Sequence, residues 1–172
     1  MTDDLPPLPS PERLQELLFD AARMGRDDVI PALLRAGVDI EGRDPRGYSA
    51  LVLASYNGQE STTALLLAEG ALPDGPSDAT GNSALMGVAF KGYASIARLL
   101  LDAGAEVDRR NGAGQTALMM AALFNQTEIL DMLLVAGADP AAIDVQGSSA
   151  ASVASAQGNR ALADRFAALV HP

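Results

Sequence analysis

The chain has 172 residues, 48% of them hydrophobic and only 4% aromatic, enough for one globular unit with a continuous core. Its net charge is -10 and its sequence pI about 4.4, which disfavours nucleic acid and anionic membrane as partners. It contains no cysteine, so disulfides and thiol chemistry are excluded.

The N-terminus, MTDDLPPLPS, carries neither a basic segment nor an apolar run, so it does not read as a secretory signal. Residues 1–10 are expected to form a mobile proline-rich arm. No uninterrupted apolar stretch reaches the roughly 18 residues a membrane span needs. The expected location is cytoplasmic, or periplasmic if a leader has been removed.

Ser10-Pro11 reads as an N-cap followed by proline at the first helical position. Leu14, Leu17, Leu18, Ala21 and Ala22 then recur at helical spacing. Glu12, Arg13, Gln15 and Glu16 suit a terminal helix whose outer side meets water. A second helix is expected over 26–36, bent near Asp27 by Pro31 in its interior. Asp27 and Asp28 read as first-turn acids that favour the helix dipole, rather than as a general acid/base pair.

From here the chain repeats. Gly47, Gly81, Gly114 and Gly147 follow one another at steps of 34, 33 and 33. Gly37, Gly70, Gly104 and Gly137 run at 33, 34 and 33, and Gly25, Gly58, Gly92, Asn125 and Gly158 keep phase with both. Between them recur Ser49-Ala50-Leu51, Ser83-Ala84-Leu85, Thr116-Ala117-Leu118 and Ser149-Ala150-Ala151. Gly114–Asp139 shows the unit most clearly. Thr116 caps a helix with Leu118, Ala121 and Ala122 on one side, Asn125 breaks it, and Ile129, Leu130, Leu133 and Leu134 face inward from a second helix that Gly137 stops. The extra residue of the 34-step falls in 72–77, a loop stiffened by two prolines. In the last unit Ala151 replaces leucine, Ser152 and Ser155 put hydroxyls on the helix, and Phe166, Leu169 and Val170 close the chain as a C-terminal cap.

A period near 33 with this pattern resembles the ankyrin repeat over about 12–170. The resemblance implies an all-α repeat solenoid, one domain over 11–170, with units at 11–43, 44–77, 78–110, 111–143 and 144–170 joined by β-turn or hairpin loops. One departure is systematic: the family's Thr-Pro-Leu-His corner stands here as Ser/Thr-Ala-Leu-Val/Met, without its histidine bonds.

Ankyrin packing implies a concave side lined by first helices and turn tips. The tips offer Arg46, Tyr48, Ala79, Thr80, Asn82, Gly112, Ala113 and Gln115. The helix ends offer Met24, Tyr56, Asn57, Phe90, Lys91, Leu123 and Phe124. Tyr48, Tyr56, Phe90 and Phe124 are four of the seven Tyr and Phe residues, and rings gathered on a solvent-facing ridge mark an interface. Leu123 joins them as an anchor, with Arg46, Asn57 and Lys91 as orienting groups and Asn82 and Gln115 at the tips. Met86, Met119 and Met120 are expected in the core or on the groove floor.

Catalysis has little to work with. The one histidine, His171, is next to the end, no His/Cys cluster has metal spacing, and Gly-Ala-Gly at 112–114 lacks the Lys-Ser/Thr of a phosphate loop. The chain is therefore read as a non-enzymatic, monomeric protein-binding module without cofactor or metal. Three segments, GYSALVLASYNGQE, GNSALMGVAFKGYASIARLLL and GQTALMMAALFNQTEIL, resemble the small bacterial ankyrin proteins encoded beside catalase genes. That resemblance implies a bacterial accessory protein in peroxide defence, with a haem catalase as partner. Two alternatives stand beside it. One is haem binding through a tyrosinate, with Tyr56 the best placed and Tyr48 and Tyr93 behind it. The other is an acidic immunity protein that neutralises a basic enzyme.

Overall fold

The computed structural model describes residues 9–75 and 80–170. The proline-rich arm before Pro9, Ala79 and His171 therefore lie outside the described residues. Ten helices form among those described: α1 (Pro11–Met24), α2 (Ile30–Arg35), α3 (Ala50–Tyr56), α4 (Glu60–Ala68), α5 (Ala84–Lys91), α6 (Ala94–Asp102), α7 (Ala117–Leu123), α8 (Thr127–Val135), α9 (Ala150–Ala156) and α10 (Arg160–Val170). No strand occurs among the described residues; one isolated bridge joins Ile143 to Ser149.

A hydroxyl starts each first helix. Ser49, Ser83, Thr116 and Ser149 accept from the amides of Val52, Met86, Met119 and Ser152 at 3.3, 3.2, 3.4 and 3.3 Å. Each bond satisfies one of the donors a helix start leaves open. The helices are short, seven or eight residues from α3 to α9 on this row, so tertiary packing rather than propensity must hold them.

That packing runs along the stack. Leu66, Leu100 and Leu133, one per second helix, are fully buried, as are Ala54, Ala89 and Ala121 on the first helices. The alanines let neighbouring first helices approach closely, and these helices touch along the row more extensively than the second helices do. The first helices therefore line the inner side of the curve. Acidic side chains clip the loops behind: Glu41 accepts from the Leu72 amide at 2.8 Å, Asp74 from Glu106 at 2.6 Å and Asp108 from Asp139 at 2.9 Å. The contacts step by one repeat each time.

Repeat one departs from expectation. Pro31 is not interior, because α2 begins at Ile30 and Pro31 occupies its first turn, where a missing N–H costs nothing. The helix is shortened rather than bent. Asp27 and Asp28 are not first-turn acids, because α2 begins only at Ile30 and its first turn carries no acid; each is held by bonds of its own. The Thr62 hydroxyl donates to Asp27 from the next repeat, while Arg26 donates to Asp28 at 2.9 and 2.8 Å. Those bonds hold the Asp28 carboxyl below its ordinary value. Glu12, Arg13 and Glu16 do face water. Beside them, however, an apolar trough of about 460 Å³ opens between α1 and α2, with Leu14, Leu17, Met24 and Val29 in its walls. At the other end Phe166 is fully buried and Leu169 exposed.

Candidate protein-binding groove

The rings at the ends of the first helices form one continuous run. Tyr56, Phe90 and Phe124 sit in successive repeats and are 42%, 40% and 45% exposed. Tyr56 and Phe90 stack at 6.5 Å between centroids with planes 22° apart. Phe90 and Phe124 meet edge to face at 4.5 Å and 68°. Each ring supports the next and presents its remaining surface to solvent, so the ridge is pre-organised. Lys91 Nζ lies 5.0 Å from the Tyr56 centroid, over its face.

Between this ridge and the turn tips runs a groove of about 540 Å³. Arg46, Tyr48, Thr80 and Asn82 form its tip side, Tyr56 and Phe90 its helix side. Val52, Met86, Gly87 and Met120 lie among the lining between them. Met86 and Met119 are buried, as a core or floor position requires, and Met120 is half-buried.

The polar residues at the tips are engaged with one another. Asp44, Asn111 and Asp144 each fold the chain into a turn by accepting two backbone amides through one side-chain oxygen, at 2.8–3.0 Å. Asn111 donates to both Asn82, at 2.9 Å, and Gln115, at 3.1 Å. Backbone bonds carry the link onward, from the Gly112 amide to the Thr80 carbonyl and from Val145 to Ala113. Asn82 thus braces the neighbouring tip through Asn111, while Gln115 folds onto Asn111 within its own turn. Asn57 likewise donates to the Leu53 carbonyl at 2.7 Å and closes its own helix. Leu123 is half-buried, one residue before the ring of Phe124, and Met24 faces the N-terminal trough instead of the groove.

Among the lining residues that sequence reasoning missed, Arg23, Asp44 and Gly87 shape the groove most. Arg23 reaches across to Asp44 at 2.6 Å and also pairs with Asp20 at 3.0 Å. The Asp44 side chain is 2% exposed, so this pair is an inter-repeat strut and not a free anion. The third is Gly87. It sits mid-helix where repeats two, four and five hold Leu53, Met120 and Val153 and repeat one holds Asp20. A Cβ there would lie 3.2 Å from the Tyr56 ring. The break in the pattern was legible at that position.

Around Tyr56 the described residues provide ring contacts and a cation over the face, but no hydrogen bond to its hydroxyl. Groups of three or more metal-ligating side chains are absent among the described residues, and no described helix is long and apolar enough to cross a membrane.

Stacked helical hairpins with a groove along the inner row define a repeat solenoid of the protein-binding kind. Models of ankyrin repeats match residues 18–111 and 100–154, and the chain belongs to the ankyrin repeat family. A stretch of 65 residues, 38% of the chain, is 35% identical to 10% of the mitochondrial disaggregase of Bos taurus. Another comparison gives 41% identity over 61 residues, 36% of the chain, with 3% of the ankyrin repeat domain-containing protein SAT10 of Stachybotrys chartarum. The chain spans a tenth or less of the length of these curated relatives. Ankyrin repeats generally mediate protein–protein binding without catalysis of their own.

Proposed function

We propose that this chain is a non-enzymatic module that grips one partner protein along its concave face, acting as a monomer over a single domain at 11–170. The observation that supports this is the run of exposed rings, Tyr56, Phe90 and Phe124, the first two of which line a groove of about 540 Å³. Half-exposed aromatics held rigid by one another lose little entropy on binding, which is what an interface anchor requires. Arg46 and Lys91 would orient the partner. Phe90→Ala combined with Phe124→Ala should abolish capture of the native partner and lower the melting temperature by less than about 10 °C, since about 1 kcal/mol moves a domain of this size by roughly 2–4 °C. A larger drop would mean that the rings serve as core.

A haem catalase is the partner we favour, on the resemblance of the segments from Gly47, Gly81 and Gly114 to proteins encoded beside catalase genes. Co-purification of a catalase with wild-type chain, lost with the Phe90/Phe124 double variant, would support it. Recovery of a different protein on the same rings would refute the catalase part alone. Haem delivery through Tyr56 would need a Soret band that shifts in Tyr56→Phe. The immunity reading would need a basic enzyme whose inhibition weakens with salt.

A further inference from the structure

The groove is chemically unlike the rest of the molecule. Helices α3, α5, α7 and α9 contain one charged residue between them, Lys91, and no carboxylate. The acids sit instead on the second helices, as Glu60, Asp102, Glu128 and Asp131, on the loops after them, and on the terminal helix α1, where Asp20 is paired with Arg23. Asp44 is the one acid in the groove lining among the described residues, and Arg23 and two backbone amides neutralise and cover it. Arg46 and Lys91 form no ion pair among the described residues. A protein of net charge -10 therefore presents two cations with no carboxylate partner among the described residues, Arg46 in the groove lining and Lys91 over the Tyr56 ring beside it. The acids of the second helices stand about one helix diameter, roughly 10 Å, behind the first row. At physiological salt, where the Debye length is about 8 Å, they are largely screened from an occupant of the groove.

Gly87 adds a position. Glycine in a helix interior costs about 1 kcal/mol relative to alanine, yet it stands where repeats two, four and five carry Leu53, Met120 and Val153 and repeat one carries Asp20. Its missing side chain lets the Tyr56 ring pack down against the helix, since a Cβ there would lie 3.2 Å from that ring.

We infer that the occupant is an extended acidic segment of the partner protein, with one bulky apolar side chain against the Tyr56 and Phe90 rings and carboxylates directed to Arg46 and Lys91. This rests on the concave-face reading and adds the chemistry of what the face holds. The test is fluorescence anisotropy on the full chain with a short labelled peptide carrying a central leucine flanked by Asp and Glu. Its Asn/Gln counterpart, its Lys counterpart and a version with central alanine are the comparisons. The acidic leucine peptide should bind most tightly, and the Lys peptide should not bind. Gly87→Leu pushes the Tyr56 ring off the helix and should weaken binding about tenfold. Arg46→Glu with Lys91→Glu should do the same to the acidic peptide, by about tenfold.

No binding of the acidic leucine peptide, equal binding of the Lys peptide, or indifference to both Gly87→Leu and the charge reversal would overturn the inference. If partner capture were still lost in the Phe90/Phe124 double variant, the concave-face reading would survive that result. Equal binding of the acidic peptide to wild type and to the double variant would remove both.

Discussion

Asn125 holds φ at 54°, the left-handed backbone that Gly25, Gly58, Gly92 and Gly158 reach at the same place in their repeats with no side chain at all. An ordinary side chain pays about 1–2 kcal/mol there. Asparagine tolerates the conformation, and Asn125 also accepts a bond from Asn159 at 2.7 Å. Asn125→Ala should therefore cost about 1–2 kcal/mol in urea unfolding, and Asn125→Gly well under half of that. The glycine series made this turn legible; the bond to Asn159, 34 residues away, did not show in the sequence. Asp44 is the opposite case. Among many surface acids, nothing in its neighbours marks it as the buried one. Asp44→Ala strands the Arg46 and Tyr48 amides and frees Arg23, and should destabilise by about 1–3 kcal/mol.

At the scale of the helix, periodicity read the inward faces correctly because burial repeats with the turn of the helix. Ile129, Leu130 and Leu133 are buried as their spacing predicts, while Leu134 is half-buried. Where the reading failed, a local rule lacked its boundary. Pro31 bends a helix only from its interior, and α2 simply starts one residue earlier. Central helices depend on their neighbours, so a leucine at the shared seam should matter more than a cap. Leu100→Ala, fully buried on α6, should cost about 2–5 kcal/mol by calorimetry. Ser83→Ala, which removes the bond to the Met86 amide, should cost about 1 kcal/mol.

Over the whole molecule, stability is a chain of nearest-neighbour contacts. The end units have one neighbour each: α1 and α2 leave an apolar trough open, and α10 ends with Leu169 exposed. Hydrogen exchange should therefore be slowest in α5 through α8 and fastest in α2 and the last turn of α10; uniform protection would show a single cooperative unit instead. The net charge of -10 adds self-repulsion along the stack. Raising salt from low ionic strength to about 0.15 M should raise the melting temperature, because screening weakens that repulsion.

Three glycine series and four capping hydroxyls were enough to determine the repeat, its helices and the order in which they stack, since each acts within its own turn of chain. The floor at Gly87, the exposure of Tyr56, Phe90 and Phe124, and the engagement of Asn82 with Asn111 were decided only by tertiary structure. Those contacts join adjacent repeats roughly thirty residues apart, and periodicity says that such residues are neighbours without saying which surface of one meets the other.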